Sequence, residues 1–419
     1  MERQQPPGMV IVGAGHCGGR AAQALRTVGW QGRIDLIGDE PYVPYERPPL
    51  SKALLMGAQT AEACFLRSAQ AIADDGIKRH IDRVVGIAPE AHQVTLQSGK
   101  TLGYQSLLIA TGGRARPLDI PGADLPQVRT LRTIDDAQAL ASCMCAGARL
   151  LIIGGGFIGL EVAANALQAG MQVTLLEVGD RLLGRAVPAE IALQVQALHC
   201  ARGLDLRLGA QATRIDLEPG AGVRVHLVDG NSVCADTVLV GIGMQPAIEF
   251  AQAAGLLVRQ GIVVDAYLAS SVPDVYAAGD VAEFPQALSG RMQRQETWFN
   301  AETQAQVAAR NMLGAMVAYD AIPWFWSDQF DHQLQVSGVP ALGVQAVRRI
   351  GTEGDGIVFA LDADGRVVGM SAWGQVPRCL KEFKWARMLV ERHCQVSASA
   401  LGDMQLTLKQ LLAMGVVST

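Results

Sequence analysis

A strand, glycine turn, helix and second strand follow one another twice in this chain, and this repeat constrains the fold more than any other feature. The first copy, MVIVGAGHCGGRAAQALRTVGWQGRIDLIGDE, begins at Met9, and the second, RLLIIGGGFIGLEVAANALQAGMQVTLLEVGDR, begins at Arg149. In each copy an apolar run typical of a buried parallel strand leads into glycines, a small-residue helix that ends at a glycine, and a second apolar run followed by acids. The repeat therefore predicts an α/β fold with two Rossmann-like units.

The three glycines of each turn have separate roles in such a unit. The first allows the tight turn, the second lets the backbone approach a pyrophosphate, and the third lets helix and strand pack closely. The phosphates then meet free N–H groups at the helix N-terminus, where the helix dipole also favours an anion. The glycines are Gly13, Gly15 and Gly18 in the first copy and Gly154, Gly156 and Gly159 in the second. The pattern predicts two dinucleotide-binding sites.

The acids that follow each unit bear on which dinucleotide binds. Glu177 ends the second strand of the second copy, where its carboxylate accepts a hydrogen bond from a ribose 2'-hydroxyl and repels a 2'-phosphate. This favours NADH over NADPH, although Arg181 follows closely and can partly offset the repulsion. In the first copy the corresponding acids are Asp39 and Glu40.

Charge and composition exclude several classes of protein. The net charge is -5 and the pI is about 5.8, so no global basic field favours nucleic acid or an anionic membrane. No apolar run approaches the roughly 18 residues of a membrane span, and MERQQPPG at the N-terminus lacks the pattern of a secretory signal. We therefore expect a cytoplasmic, soluble protein that binds neither nucleic acid nor membrane.

The cysteines give no sign of a disulfide framework or a metal site. All eight are scattered, without a CxxC motif or paired metal-ligand spacing. We interpret them as buried or free thiols in a reducing compartment and predict no bound metal. The closest pair, CMC at 143–145, lies in a helix-like stretch rich in Ala and Gly and is interpreted as structural.

Three further segments indicate a function only when they are considered together. The segment YVPYERPPLSK contains prolines, which restrict the backbone. They predict a rigid segment that leads into a short helix and fixes the position of Lys52. LLIATGGRARP predicts a buried strand that breaks into a glycine turn. VYAAGDVAEF predicts a strand, a turn and Asp280 at the start of a helix.

The order of these motifs, together with GIGMQP at 241–246, resembles the two-dinucleotide flavoprotein reductases. YERPPLSK, DRLLGRAV and ETWFNAETQA narrow the resemblance to the FAD-dependent ferredoxin reductases of oxygenase systems, over essentially the whole chain. It implies a glutathione-reductase-like fold: an FAD-binding domain at 1–117 and 245–322, an NAD-binding domain at 118–244, and a small C-terminal α/β interface domain at 323–419. GIVFALDADGRVVGMSAWG independently predicts two strands around an Asp-Gly turn, with helices from about Lys381.

The resemblance also implies residues that hold FAD. The backbone of the first glycine turn holds the pyrophosphate, Asp39 the adenosine ribose and Asp280 the ribitol, while Val85 contacts the adenine edge through its backbone. Arg132 is implied to lie near the FAD, and Trp326 near the pyrimidine end of the flavin. The full set is Gly13, Gly15, Cys17, Gly18, Asp39, Glu40, Arg47, Lys52, Val85, Ala110, Thr111, Gly112, Arg132, Gly279, Asp280, Trp298 and Trp326.

Four residues are implied to act in catalysis. Lys52 resembles a lysine beside flavin N5, where a cation favours negative charge on the reduced ring, and Glu161 is its expected partner. A helix N-terminal acid stabilised by the dipole is the alternative for Glu161. Glu296 and Trp298 match positions that line the nicotinamide and the flavin. The residues implied to hold NAD are Gly154, Gly156, Phe157, Ile158, Gly159, Glu177, Arg185 and Gly243, with a solvated surface arginine as the alternative for Arg185.

These residues imply an FAD-dependent ferredoxin–NAD reductase. Hydride passes from NADH to flavin N5, and single electrons pass to a separate 2Fe-2S ferredoxin that supplies a cytochrome P450 or a Rieske oxygenase. One alternative is a disulfide reductase or thiol-dependent NADH oxidase, which needs a cysteine at the flavin, whereas Cys17 is expected at the pyrophosphate. Another is a flavoprotein of the apoptosis-inducing-factor type, in which slow reduction by NADH switches an interaction surface. We expect a monomer or weak dimer.

Overall fold

The computed structural model describes residues 8–184, 186–220, 222–351 and 355–414. Within them the chain forms two compact units, each assembled from segments that are distant in the sequence. The first unit contains the chain up to Pro48, Thr60–Arg114 and Met244–Ala321, and the second contains Pro49–Gln59, Ala115–Gly243 and the chain from Ile322 onward. The division into three domains stays a prediction.

Strands and helices are numbered in chain order. The strands are β1 (Gly8–Val12), β2 (Ile34–Gly38), β3 (Ile77–Ile81), β4 (Val84–Ala88), β5 (Gln93–Leu96), β6 (Thr101–Ile109), β7 (Gly113–Ala115), β8 (Val128–Arg129), β9 (Arg149–Ile153), β10 (Gln172–Glu177), β11 (Asp205–Leu208), β12 (Ala212–Leu217), β13 (Val223–Leu227), β14 (Ser232–Ala235), β15 (Thr237–Val240), β16 (Met244–Pro246), β17 (Ile262–Val263), β18 (Val275–Ala277), β19 (Ala282–Pro285), β20 (Met292–Gln293), β21 (Trp324–Gln329), β22 (His332–Gly338), β23 (Gln345–Ile350), β24 (Gly356–Leu361) and β25 (Val367–Gln375). The α-helices are α1 (His16–Thr27), α2 (Ala69–Asp74), α3 (Ile134–Ala141), α4 (Phe157–Gln168), α5 (Ala189–Ala201), α6 (Glu249–Ala253), α7 (Trp298–Asn311), α8 (Leu380–Glu391), α9 (Ala398–Gly402) and α10 (Leu408–Met414).

A seven-stranded sheet forms the centre of the first unit. Its strands run in the order β3-β2-β1-β6-β5-β4, and β18 pairs with the C-terminal half of β6. The strands β1, β2, β3, β6 and β18 are parallel, whereas β4 and β5 form an antiparallel extension. Because a central parallel strand is covered on both faces, β1 is apolar and buried from Met9 to Val12. This is the first Rossmann-like unit predicted from the sequence.

The second unit contains another parallel sheet, in the order β11-β10-β9-β15-β8. The antiparallel strands β12, β13 and β14 share a hydrophobic core with it through residues such as Ile153, Leu176 and Val225. Strand β9, helix α4 and strand β10 form the second copy of the repeat. Helices α1 and α4 are each followed by a glycine of positive φ, Gly29 at 97° and Gly170 at 81°, as the predicted glycine ends require.

The C-terminal part of the second unit is an antiparallel sheet in the order β21-β22-β25-β24-β23. Strands β24 and β25 pair around the predicted Asp-Gly turn, and α8 begins at Leu380, one residue before the predicted helical start. Helix α8 packs on the sheet through buried residues such as Phe383 and Leu389. Strand β21 is at the edge of this sheet, and within the described part of the chain it pairs only with β22.

One sequence-based interpretation of local structure is wrong. The CMC segment does not lie in a helix, because α3 ends at Ala141 and the chain then turns back toward β9 through short-range bonds such as Cys145 N to Cys143 O. Gly147, with φ at 80°, completes that reversal. No helix among the described residues is long and apolar enough to cross a membrane.

A buried histidine connects α5 to the edge strand β21. His199 is fully buried, and its Nε2 lies 2.9 Å from Oε1 of Gln329, which is also fully buried. Burial lowers the pKa of His199 to about 4, although the hydrogen bond to Gln329 acts in the opposite direction. The native protein therefore holds this imidazole neutral well below the pH at which an unfolded histidine takes up a proton.

This lowered pKa predicts a pH-dependent stability. Between the usual histidine value of 6.5 and about 4, the unfolded chain binds a proton at His199 that the native chain does not. The free energy of unfolding should therefore fall, by up to about 3 kcal/mol from this group, as the pH decreases through that window. Denaturant titrations between pH 7 and pH 4 should show a weaker pH dependence in His199→Gln than in the wild type. An identical dependence in both proteins would contradict the prediction.

Candidate active site

The first and third glycines of each turn pack against one another. Gly13 and Gly154 have φ values of 108° and 113°, which glycine adopts without strain. A Cβ on Gly18 would lie 1.8 Å from the carbonyl oxygen of Gly13, and a Cβ on Gly159 would lie 2.3 Å from that of Gly154. Both helices can approach their strands only because glycine occupies the third position.

The second glycine of each turn instead faces open space. Among the described residues, a Cβ on Gly156 would meet no atom within 4 Å, and the nearest atom to one on Gly15 would be Nη2 of Arg47 at 3.7 Å. These glycines are the N-caps of α4 and α1, and neither helix end receives a side-chain capping hydrogen bond from the described residues. Their N–H groups and dipoles therefore suit an anion. The residues of both turns fit the pyrophosphate of a dinucleotide.

The two copies differ at the end of the second strand. The N–H of Gly13 donates to the carbonyl of Ile37, and the N–H of Gly154 donates to that of Leu176. The residues that follow these carbonyls, Gly38 and Glu177, are therefore equivalent in the two copies. A Cβ on Gly38 would lie 2.6 Å from the Cβ of Ala14, so the first copy has no room for an acid at this point. Its acids come later, at Asp39 and Glu40.

Glu177 joins the end of its strand to the second glycine turn. Its Oε2 accepts a hydrogen bond of 2.7 Å from the N–H of Gly155, and its Oε1 accepts one of 2.7 Å from the N–H of Gly179. Arg181 donates hydrogen bonds to the carbonyls of Gly184 and Val187. Its guanidinium group therefore stabilises the loop in which Arg181 itself lies. Glu177 thus places its carboxylate at the edge of the turn, where the sequence predicts a ribose.

The acids of the first copy are each paired with an arginine. Oδ2 of Asp39 lies 2.8 Å from Nη2 of Arg83. Glu40 accepts hydrogen bonds from Nη2 of Arg47 at 3.0 Å and from the hydroxyl of Tyr45 at 2.5 Å. Arg47 therefore stands between Glu40 and the open space above the first glycine turn.

The thiol of Cys17 faces the protein interior. Cys17 is 6% exposed, and a Cβ on Gly279 would lie 3.2 Å from its Sγ. Burial raises the pKa of this thiol far above its usual range, and the negative charges of Asp280 and Glu302 raise it further. Because the thiolate is the reactive form of cysteine, Cys17 is a packing residue whose small side chain lets Gly279 approach α1.

Helix α7 adds a polar contact at the start of α1. Nε2 of His16 lies 2.9 Å from Oε2 of Glu302, and the rings of His16 and Trp298 lie 5.2 Å apart. Burial acts to raise the pKa of Glu302, but the hydrogen bond from His16 and the charge of Arg20 outweigh it and lower that pKa. Trp298 is the first residue of α7, whose N-cap Thr297 accepts a hydrogen bond from the N–H of Asn300.

Two other residues predicted to lie at the flavin, Asp280 and Glu296, both contact Arg294. Arg294 donates from Nη1 to the carbonyl of Asp280 at 2.9 Å, and its Nη2 lies 2.8 Å from Oε1 of Glu296. Asp280 lies in a single 3-10 turn, Gly279–Val281, directly after β18, so the predicted helix start is only one turn long.

The remaining predicted FAD contacts of the first unit have exposed or irregular backbone. Val85 is the extra residue of a bulge between β4 and β5, and such a residue is left out of the strand ladder. After β6, the N–H of Ala110 donates to the carbonyl of Val12, the hydroxyl of Thr111 donates to the carbonyl of Ala247, and Gly112 has a positive φ of 58°. These features suit contacts made through the backbone.

Lys52 and Glu161 form an ion pair in the second unit. Nζ of Lys52 lies 3.2 Å from Oε1 of Glu161, whose side chain is 7% exposed. Glu161 also accepts hydrogen bonds from the hydroxyls of Ser51, at 2.5 Å to Oε2, and Ser327, at 2.6 Å to Oε1. Asn165, one turn further along α4, donates to the carbonyl of Ser51 and holds the segment before Lys52 in place. The alternative for Glu161, an acid that serves only the helix dipole, does not account for these partners.

Strand β21 contacts Lys52 from the other side. Nζ of Lys52 lies 3.4 Å from Oδ2 of Asp328 and 5.6 Å from the centre of the Trp326 ring. The indole N–H of Trp326 also donates to Asp328. The sequence motifs predict no role for Ser51, Ser327 or Asp328. The available signal was the alternation in WFWSDQ, in which Ser and Gln are buried on one face of an otherwise aromatic strand.

The other predicted NAD residues lie around the second turn or at the end of the unit. The rings of Phe157 and Phe325 are 5.0 Å apart, and Ile158 is 43% exposed. Gly243 has a φ of 103° and open space around its missing side chain among the described residues. Arg132, in the second unit, precedes the capping box of α3 and donates its N–H to Asp136. Arg185 lies outside the described residues.

Two family models match the chain. The pyridine nucleotide-disulphide oxidoreductase model matches residues 7–305, and the reductase C-terminal model matches residues 324–412. The first match covers both glycine turns and the Lys52 segment, and the second covers the antiparallel sheet that begins at β21.

Relatives over nearly the whole length share this architecture. The chain is 37% identical over 412 residues to putidaredoxin reductase of Pseudomonas putida, covering 97% of this chain and 96% of the relative. It is 39% identical over 405 residues to the ferredoxin–NAD reductase component of an anthranilate 1,2-dioxygenase system of Burkholderia cepacia, covering 96% of this chain and 98% of the relative. The reductase in the solved covalent complex of putidaredoxin reductase with putidaredoxin has a TM-score of 0.91 and 36% identity, with 98% of this chain and 99% of that chain covered. The chain therefore belongs to the pyridine nucleotide-disulphide oxidoreductase family, and within it to the ferredoxin reductases.

Proposed function

We propose that this protein is an FAD-dependent ferredoxin–NAD reductase that oxidises NADH and delivers single electrons to a 2Fe-2S ferredoxin. The observation that carries the proposal is the presence of two glycine turns that fit a pyrophosphate, together with the buried Lys52–Glu161 ion pair on the segment after the first copy. Relatives at 37% and 39% identity are named as ferredoxin reductases of a putidaredoxin system and of a dioxygenase system. The ferredoxin would in turn supply a cytochrome P450 or a Rieske oxygenase, in the cytoplasm.

The first unit is proposed to hold FAD and the second to hold NADH. In the first, the backbone of Gly15 and Cys17 would bind the pyrophosphate, while Asp39 would bind the adenosine ribose and Asp280 the ribitol. Val85, as a bulge residue, has a backbone suited to the adenine edge. In the second, Gly156 would face the pyrophosphate of NADH. When bound, FAD supplies a ring that takes up a hydride and gives up electrons singly.

The chain supports that chemistry by positioning and by charge. Lys52 would place its ammonium group near flavin N5, where a cation stabilises the negative charge of hydride transfer. Glu161 holds Lys52 at 3.2 Å, and Trp326 covers the ammonium group from the side of β21. Trp298, held against His16 at the start of α7, would line the nicotinamide and flavin together with Glu296. Arg132 is proposed to lie near the FAD.

Three functional regions follow as a proposal: FAD binding at 1–117 and 245–322, NAD binding at 118–244, and a C-terminal domain at 323–419. The reductase C-terminal match at 324–412 supports the last boundary. The compact units, however, group the C-terminal segment and Pro49–Gln59 with the NAD-binding segment. The contacts of β21 with Glu161 and Lys52 explain this grouping, because they join those three segments in one core.

A disulfide reductase is a poorer account of the site. Such an enzyme needs a thiolate at the flavin, whereas the pKa of the Cys17 thiol is raised by burial and by neighbouring negative charges. The segment that carries Lys52, YVPYERPPLSK, contains no cysteine.

The proposal predicts rapid flavin reduction followed by ferredoxin reduction. The purified flavoprotein is mixed anaerobically with NADH in a stopped-flow instrument, and the reduced protein is then mixed with candidate 2Fe-2S ferredoxins. We expect NADH to bleach the flavin and at least one ferredoxin to be reduced with multiple turnovers. A long-lived charge-transfer complex with poor turnover of every ferredoxin would instead favour a flavoprotein of the apoptosis-inducing-factor type.

The open space at Gly156 predicts a variant that separates NADH binding from folding. Gly156→Ala adds a methyl group that meets no described protein atom but occupies the place proposed for the pyrophosphate. We expect unchanged FAD content and thermal stability, with KM for NADH raised by about tenfold or more. Gly103→Ala, where the new methyl has its nearest neighbour at 3.8 Å, is the matched control. Wild-type KM in Gly156→Ala would disprove this NAD site.

Glu177 predicts the preference for NADH. Glu177→Gln removes the charge that repels a 2'-phosphate and one of two acceptors for backbone N–H groups. The ratio of kcat/KM for NADH to that for NADPH should therefore fall by about tenfold or more. Glu218→Gln, which removes a partly exposed acid of the same unit that is paired with Arg224, should leave the ratio unchanged. Equal selectivity in Glu177→Gln and the wild type would show that the ribose lies elsewhere.

A further inference from the structure

Glu161 is the end point of a buried hydrogen-bond chain that begins at His199. Nε2 of His199 lies 2.9 Å from Oε1 of Gln329, and Nε2 of Gln329 lies 3.2 Å from Oγ of Ser327. Oγ of Ser327 lies 2.6 Å from Oε1 of Glu161. His199, Gln329 and Ser327 are all fully buried. The chain crosses from α5 through the edge strand β21 to α4.

The chemistry of each group fixes the direction of this chain. A carboxylate only accepts hydrogen bonds, so Ser327 donates its proton to Glu161 and its oxygen is left to accept. Gln329 must then present its NH2 group to Ser327 and its carbonyl oxygen to His199. His199 consequently carries its proton on Nε2. Every donor in the chain therefore points toward Glu161.

We propose that Ser327, oriented by Gln329 and His199, is a positioning residue that holds the Glu161 carboxylate in place and thereby positions Lys52 for hydride transfer. This inference rests on the proposed reductase function. Ser51 supplies the matching donor to the other oxygen of Glu161, at 2.5 Å. Among the described residues, the charged group that faces Glu161 is Lys52, and Asp328 faces Lys52 at 3.4 Å.

Burial explains why such a chain is needed. Glu161 is 6% exposed, so little water reaches its carboxylate, and a buried charge without donors is costly. Without Ser327, Oε1 would keep Lys52 as its partner but lose its hydroxyl donor. The Glu161 carboxylate would then be held less firmly, and Lys52 would shift from it toward the more exposed Asp328. The C-terminal sheet therefore fixes the geometry of the ion pair between Lys52 and Glu161, in addition to shielding it from water.

The test is Ser327→Ala in the FAD-loaded protein. We expect unchanged FAD content and a rate of hydride transfer from NADH that falls about tenfold near neutral pH. The midpoint potential of the bound flavin should move to more negative values, because Lys52 moves toward Asp328 and stabilises the reduced ring less. Ser51→Ala should change the rate and the potential in the same direction.

A second measurement does not depend on activity. Nitrogen-15 NMR of histidine-labelled protein, assigned with His199→Gln, should show His199 as the Nε2–H tautomer in the wild type. In Ser327→Ala the orientation of Gln329 is no longer imposed, so the His199 resonances should change toward a mixture of tautomers. Ser371→Ala is the matched control, because Ser371 is fully buried in the same sheet and its hydroxyl has no hydrogen-bond partner among the described residues.

Several outcomes would overturn the proposal. These are an unchanged rate of hydride transfer in Ser327→Ala, unchanged His199 resonances, or an equal effect of Ser371→Ala. If Ser327→Ala does not accumulate as folded holoenzyme, Ser327→Cys, which keeps a weaker donor, should slow hydride transfer by a smaller factor, and a wild-type rate in that variant would count against the proposal. Failure of the wild type to reduce any ferredoxin would reject the proposed function, while hydride transfer and the NMR spectrum would still decide the role of Ser327.

Discussion

One steric constraint underlies both halves of this protein: the third glycine of each turn lies so close to the carbonyl of the first that no Cβ fits between them. The clash would be 1.8 Å at Gly18 and 2.3 Å at Gly159. Because the helix can then approach the strand, its N-terminus opens above the second glycine, where a pyrophosphate fits. The dinucleotide sites thus depend on close packing within each turn and on open space immediately beside it.

The two copies of the strand, glycine turn and helix differ at the end of the second strand. Glu177 accepts a hydrogen bond from the glycine turn through one oxygen and from the N–H of Gly179 through the other, at the position where the sequence predicts a ribose. In the first copy Gly38 packs on Ala14, and the acids Asp39 and Glu40 follow it with arginine partners. The acid of the second copy is thus bound by backbone N–H groups, whereas the acids of the first copy are paired with arginine side chains.

The ion pair of Lys52 and Glu161 shows how a buried charge organises distant parts of the sequence. The donors to Glu161 of α4 are Ser51, Lys52 and, from β21, Ser327. A carboxylate that is largely shielded from water needs such donors, so the polar residues of β21 are explained by the chemistry of Glu161 rather than by the sheet itself. The C-terminal region is in this way part of the candidate site.

The amino-acid sequence by itself determined the two Rossmann-like units, since the spacing of Gly13, Gly15 and Gly18 and of their counterparts from Gly154 is a local property of strand, turn and helix. It also determined the two strands around the Asp-Gly turn, while the helix expected at CMC was wrong because α3 ends at Ala141 and the chain then reverses, up to Gly147, before β9. Only the tertiary structure decided the surroundings of Glu161, the paired acids of the first copy and the inward direction of the Cys17 thiol. The physical reason is that a local pattern specifies backbone geometry, whereas the partners of a buried charge are set by which distant segments the fold brings together.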